Sequence, residues 1–270
     1  MSITHLIFPV ARMAPISTDR AACRAMMRKL AFTLRDAPVL ALHLSDTHLH
    51  LLVAVSPDEA GRLCQRVGVV LSGAAESTRR WPARPAVSRI PVETRAHLRN
   101  AFEYVLRNDE RHGVAPDPWR ENSSLPDLLG ARVIFPGHRA TVQRFLPRLA
   151  RLQLLALAEW PDSSKAEVSE PRLLAAAAAA ALGLPILSGQ TAGVVMARAA
   201  AVQAGVGLST RSLAVALAVS DDTVLRLRRR RLDPNLPAAV RWQAHLQTLL
   251  APGDVLVTRP DWSSRVRMLS

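Results

Sequence analysis

Two histidines separated by one residue, His48 and His50, stand in the run Leu42 to Val55. In an extended strand successive side chains point to opposite faces. The spacing therefore places both imidazoles on one face and Leu49, Leu51, Val53 and Val55 on the other, toward a core. Two imidazoles one pleat apart can hold one divalent metal ion, and they are equally at home as polar residues on an edge strand. Tyr104, the single tyrosine of the chain, lies on a helix-like segment with Asn108 four residues later. Positions i and i+4 share a helix face. A phenol oxygen can attack a phosphodiester and conserve its bond energy as a covalent phosphotyrosine, while a metal polarises the scissile phosphate. In that chemistry His48 and His50 are metal ligands and one helix presents both the nucleophile, Tyr104, and a third ligand, Asn108, with Asp109, Glu110 and His112 as alternatives. The structural reading of the same residues makes Tyr104 a half-buried aromatic in the row Leu98, Phe102, Val105, Leu106, and Asn108 a helix-end cap.

The elements that must position these residues follow from periodicity and punctuation. Thr4 to Arg12 reads as a first strand, and Asp19 as the cap of a helix through Arg35 that Ala37-Pro38 breaks. Val39 to Leu44 and His48 to Val55 form a hairpin about a tight turn at Ser45-Asp46-Thr47. Ser56 and Glu59 form a capping box for a helix ending near Gly73. Trp81 to Ser88 reads as a loop, Arg89 to Glu93 as a short strand, and Thr94 as the cap of a helix to about Arg111, closed by His112-Gly113. Strand, helix, strand, strand, helix, strand is the split βαβ, ferredoxin-like plan: an α+β antiparallel sheet with both helices on one face. The opposite face is expected to stay open and to offer His48 and His50. A loop after Gly113 leads to a helical region from about Thr141 to Trp160, a polar linker at Pro161 to Lys165, and an all-α remainder from about Pro171. The expected division is 1–130, 131–170 as helical connector and linker, and 171–270 as a helical DNA-binding domain.

The chain has 270 residues, enough for one large domain or two small ones with a real core. Lys and Arg number 35 against 22 acids, a formal net charge of +13 that favours a polyanionic partner such as nucleic acid over a membrane. Arginine dominates the excess, and a genome rich in G and C contributes to it as well. Cys23 and Cys64 fall in amphipathic helical segments and read as small core residues in a reducing cytosol. The amino terminus lacks a basic region followed by an apolar one, so no signal peptide is expected. The apolar run Leu173 to Leu187 is too short to span a bilayer, contains Gly183 and Pro185, and reads as an alanine-rich helix.

From Thr4 to about Gly130 the chain resembles the HUH-superfamily single-tyrosine transposases, and within them the REP-associated tyrosine transposases with their IS200-like domain. The carriers are Ser45 to Val53, Asn100 to Asn108, Arg111-His112-Gly113, and Ser123-Ser124 ahead of Leu128-Leu129-Gly130. The resemblance implies a metal-dependent endonuclease and strand transferase for hairpin-forming single-stranded DNA, using Mg²⁺ or Mn²⁺ and a 5′-phosphotyrosine intermediate. It implies His48, His50 and Asn108 as metal ligands and Tyr104 as nucleophile. Monomer and homodimer both fit the family, and the expected location is cytoplasmic and nucleoid-associated in a prokaryote. Many relatives have Asn-Pro where this chain has Asn108-Asp109, and Pro-Asn where it has Asp46-Thr47. A catalytically inactive relative acting as a DNA-binding regulator is the alternative.

The segment 209–231 has the rhythm of a helix-turn-helix. Ser209 caps a helix bearing Leu213 and Leu217, Ala218-Val219 turns, and Ser220 caps a second helix bearing Val224 and Leu227. Arg211, Thr223, Arg226, Arg228, Arg229, Arg230 and Arg231 are the expected DNA contacts. Arginines so placed mostly hold phosphates and add affinity more than specificity. Asp221 and Asp222 favour the helix dipole.

Overall fold

The computed structural model describes residues 2–9, 20–45, 48–75, 87–111, 117–162, 167–168 and 170–249. The expectations for Val10 to Arg12, the Asp19 cap, the Asp46-Thr47 turn, residues 81–86 of the loop, His112-Gly113, Lys165 and the chain beyond 249 lie outside those residues. The architecture is α+β followed by all-α: an N-terminal four-stranded antiparallel sheet packed against helices, then a long run of helices.

The sheet contains β1 (Ser2–Pro9), β2 (Val39–Leu44), β3 (His48–Val55) and β4 (Ser88–Val92), in the order β2-β3-β1-β4. β1 pairs antiparallel with both β3 and β4. β3 is therefore an inner strand, not the edge strand that two half-exposed histidines would occupy. α1 (Arg20–Thr33) and α2 (Pro57–Ala75) cover one face. Their Met26, Met27, Leu30, Leu63 and Val67 meet Leu6, Phe8, Leu49, Leu51, Val53 and Val55. The alternation of β3 predicts that face correctly. The Ser56–Glu59 capping box forms as expected, with Ser56 Oγ accepting from Glu59 N at 3.3 Å and Glu59 Oε2 accepting from Ser56 N at 3.4 Å.

The opposite face is not open. α3 (Arg95–Leu106) lies across it, with Leu98, Phe102 and Val105 buried against Leu40, Ala41, Leu52 and Ala54. The register of β2 on β3 shifts between Val39 and Ala41, which lets the consecutive Leu40 and Ala41 both join this second core. A single helix to Arg111 does not form. α3 ends at the Arg107 C-cap, and the short α4 (Asn108–Arg111) follows. The outer edge of β2 is sealed by the segment 122–124: Leu44 N donates to Asn122 O at 2.7 Å and Ser124 N donates to Leu42 O at 2.9 Å.

The helical region expected from Thr141 to Trp160 is two helices, α6 (His138–Phe145) and α7 (Arg151–Ala158), preceded by α5 (Leu125–Leu129). Pro147, which cannot donate a helix hydrogen bond, lies in the break between α6 and α7. The remainder holds α8 (Leu174–Ala181), α9 (Ala192–Ala204), α10 (Thr210–Leu217), α11 (Asp221–Arg228) and α12 (Asn235–Leu249). The alanine-rich α8 is buried between α9 and α12, where small side chains permit close helix approach. Trp242 and Leu246 of α12 reach across to the core under α3, and Gln243 Nε2 donates to Ala131 O at 3.0 Å. Cys23 and Cys64 are buried, as expected of small core residues. Among the described residues no helix is long and apolar enough to cross a membrane.

Candidate functional site: a buried polar layer and an arginine-flanked helix pair

Between the second sheet face and α3–α4 lies a layer of polar side chains. His48 and His50 share a face, as their spacing predicts, with ring centroids 4.5 Å apart. The tight hairpin brings His43 directly opposite His50 in the ladder. His5 of β1 sits diagonally to His50, and its Nε2 is 2.9 Å from His50 Nδ1. The Asn108 amide donates from Nδ2 to His50 Nε2 at 3.0 Å. That bond leaves the His50 proton on Nδ1, from which it is donated to His5. Tyr104 packs edge-on over the pair, 5.6 Å from the His50 ring and 6.0 Å from the His5 ring. Alongside, His43 Nε2 donates to Asp109 Oδ1 at 3.0 Å and Asn122 Nδ2 donates to Asp109 Oδ2 at 2.9 Å.

His50 and Asn108 are buried, at 1% and 0% exposure. Burial, and secondarily the nearby His97, lowers the His5 pKa from 6.5 to about 4. His5, His43 and Asn122 were not singled out from sequence, whereas Asp109, an alternative to Asn108 there, is placed against His43 and Asn122. His43 has a sequence signal, because a tight Ser45–His48 turn pairs residue 43 with residue 50. His5 has none, because its place depends on how β1 docks against β3.

The structure thus gathers His48, His50, Tyr104 and Asn108, but Tyr104 and Asn108 belong to successive helices. As arranged, His50 is engaged by protein groups on both sides, and the buried Asn108 Oδ1 beside it accepts no hydrogen bond. Both ring nitrogens of His50 are occupied by protein hydrogen bonds. Among the described residues no group of three or more His, Cys, Asp or Glu side chains is placed to hold a metal. Two imidazoles and an amide also lack the oxygen-rich shell that Mg²⁺ favours.

In the C-terminal part the expected helix pair forms with its caps. Ser209 Oγ accepts from Ser212 N at 3.0 Å and Ser220 Oγ accepts from Thr223 N at 3.2 Å. Ala218 takes the left-handed conformation, φ 50°, between the two helices. The expected contact residues divide by what they touch. Arg228 donates to Thr210 Oγ1 at 3.1 Å and to Leu208 O at 2.9 Å, so it straps α11 to the start of α10. Arg211 lies 3.7 Å from Asp221. Arg226 donates to Thr223 Oγ1 at 3.1 Å. Arg229, Arg230 and Arg231 are exposed beyond the end of α11.

No protein-family model matches the chain. A GTP cyclohydrolase-2 of Azospirillum brasilense is 32% identical over 142 residues, which are 52% of this chain and 35% of that protein. The chain thus spans about a third of the length of that curated relative. A REP-associated tyrosine transposase solved bound to a REP hairpin matches over 50% of this chain and 82% of its own, at 14% identity and a TM-score of 0.39. A likeness of that size carries no argument. The resemblance to HUH tyrosine transposases is therefore corrected: the similar sequence belongs to a protein of another name, and the structural likeness is slight. The metal-dependent endonuclease and strand-transferase activity, the phosphotyrosine mechanism and the domesticated-transposase alternative fall with it, since the described residues also hold no metal-binding cluster.

Proposed function

We propose that this chain is a DNA-binding protein whose α10–α11 pair acts as a helix-turn-helix. The observation that carries this reading is the pair itself: two eight-residue helices, each with a serine N-cap, joined at a left-handed alanine and followed by consecutive exposed arginines. The formal net charge of +13 supports it, because phosphate neutralisation supplies most of the affinity of such proteins. In this reading α11 enters the major groove and Thr223, Arg226, Arg229, Arg230 and Arg231 meet the backbone or base edges. Arg228 acts as a positioning residue that fixes the angle between the helices. The strand order β2-β3-β1-β4 supports a ferredoxin-like plan for the N-terminal part. There the buried His–Asn–Asp layer rigidifies the seat of α3.

Fluorescence anisotropy of the full chain with duplex, hairpin and single-stranded DNA of mixed sequence tests the reading. Duplex or hairpin stems are expected to bind with an affinity that falls steeply as salt rises, and Arg229→Gln with Arg231→Gln is expected to weaken binding. Absence of binding at low salt to all three would overturn it. A GTP arm, motivated by the name of the similar protein, separates DNA binding from affinity for a free nucleotide.

A further inference from the structure

A groove of about 740 Å³ runs between α9 and the α10–α11 turn. Arg198 of α9, Arg226 and Arg230 at the α11 side, Gln190, Ser220 and Thr223 supply its polar lining, and none of its lining residues is acidic. Arg198 was not among the residues singled out from sequence. Its guanidinium is held by two backbone carbonyls of the segment ahead of α9: Nη1 donates to Gly189 O at 3.0 Å and Nη2 to Leu187 O at 3.3 Å. Its Nε is buried and has no acceptor. A buried N–H without an acceptor is costly until one arrives. A side chain already fixed in place loses little freedom when it binds. Arg226 is likewise steadied by Thr223 Oγ1 at 3.1 Å. Three guanidiniums, one on α9, one on α11 and one just beyond its end, around one acid-free groove match a chain of phosphates, because arginine donors fork onto phosphate oxygens.

We propose that this groove takes the phosphodiester backbone of bound DNA, which makes Arg198 a binding residue outside the helix-turn-helix. The footprint then crosses from α11 onto α9. The inference rests on the DNA-binding reading above and extends it to a second element.

The test is the slope of log affinity against log salt for the full chain on a mixed-sequence duplex. Arg198→Gln is expected to make the slope shallower by about 0.9, the release of one counterion per lost phosphate contact. It should also weaken binding at least about tenfold, equally on all sequences. Because Arg198 also ties down residues 187 and 189, a second variant, Arg226→Gln with Arg230→Gln, changes exposed side chains that the helix bundle does not need. It is expected to flatten the slope by about 1.8 with unchanged melting. Wild-type slopes in both variants, beside a flattened slope in Arg229→Gln with Arg231→Gln, would overturn the groove and leave the DNA reading standing. Failure of the wild type to bind any DNA would overturn both. Saturable binding of inorganic phosphate that depends on Arg198, with no change in the DNA slope, would assign the groove to a free anion and overturn the backbone reading.

Discussion

Arg132 is 1% exposed, yet it is a cation held against the segment that seals the edge of β2. Its Nε donates to Asp127 Oδ2 at 2.8 Å and its Nη1 to Glu121 O at 3.0 Å, and it also donates to Ser123 O. Asp127 Oδ1 in turn accepts from the backbone of Ile134 and Phe135 at 2.8 and 3.2 Å. Glu121 is shared with Arg24, whose Nε donates to it at 2.6 Å. Burial raises the Glu121 pKa against the opposing pull of Arg24 and Arg132. Replacing Arg132 with methionine leaves the buried Asp127 short of its cation. Arg132→Met is expected to cost about 3–5 kcal/mol in urea unfolding, far more than an exposed arginine would. Two buried histidines add a pH dependence. Burial lowers both His5 and His138 from 6.5 to about 4. The unfolded chain therefore binds more protons than the folded one between those values. Stability is complete above the ordinary histidine pKa and is lost as pH falls from about 6.5 toward about 4, by about 3 kcal/mol per histidine. NMR titration of the two rings checks it, since a midpoint near 6.5 for either would remove its contribution.

At the scale of elements, the caps decide how firmly the C-terminal helices are set. α11 has only eight residues and begins with Ser220, whose hydroxyl accepts from Thr223 N. A helix this short is marginal without its cap and its packing. Ser220→Ala is expected to cost about 1 kcal/mol by thermal unfolding and to weaken DNA binding, because α11 then frays at the end that enters the groove. Loss of stability without loss of binding would mean that α11 is not the reading helix. These caps are legible in sequence because capping is local: a serine and the amide three residues on settle it. β3 is legible for the same reason, since Leu49, Leu51, Val53 and Val55 alternate. Its position between β2 and β1 is not, because pairing with β1 joins residues 39 to 53 apart, and nothing local records it. The end of α3 at Arg107 also escapes sequence reading. Asn108, placed one turn beyond Tyr104 on a single helix, instead begins the next one.

The whole molecule is tied together by α12. Its Trp242 and Leu246 complete the core under α3, the Trp242 ring lies 6.0 Å from that of Trp160, and Arg151 stacks 4.6 Å above it. A chain ending at residue 170 is expected to unfold at lower temperature and with lower cooperativity than the full chain, because it exposes Leu154, Leu155 and Trp160. Calorimetry checks this, and an unchanged transition in the shortened chain would show that α12 adds nothing to that core. The sequence by itself determined the strand and helix order of the N-terminal sheet, the capped helix pair, the shared face of His48 and His50, and the positive charge, all of which follow from residue type and short-range spacing. Only the tertiary structure decided that α3 closes the sheet face thought to be open. It also decided that both nitrogens of His50 are spent on His5 and Asn108, and that Arg198 joins Arg226 and Arg230 around one groove. Each of these depends on contacts between residues far apart in the chain, where packing of apolar surface rather than local preference chooses the neighbour.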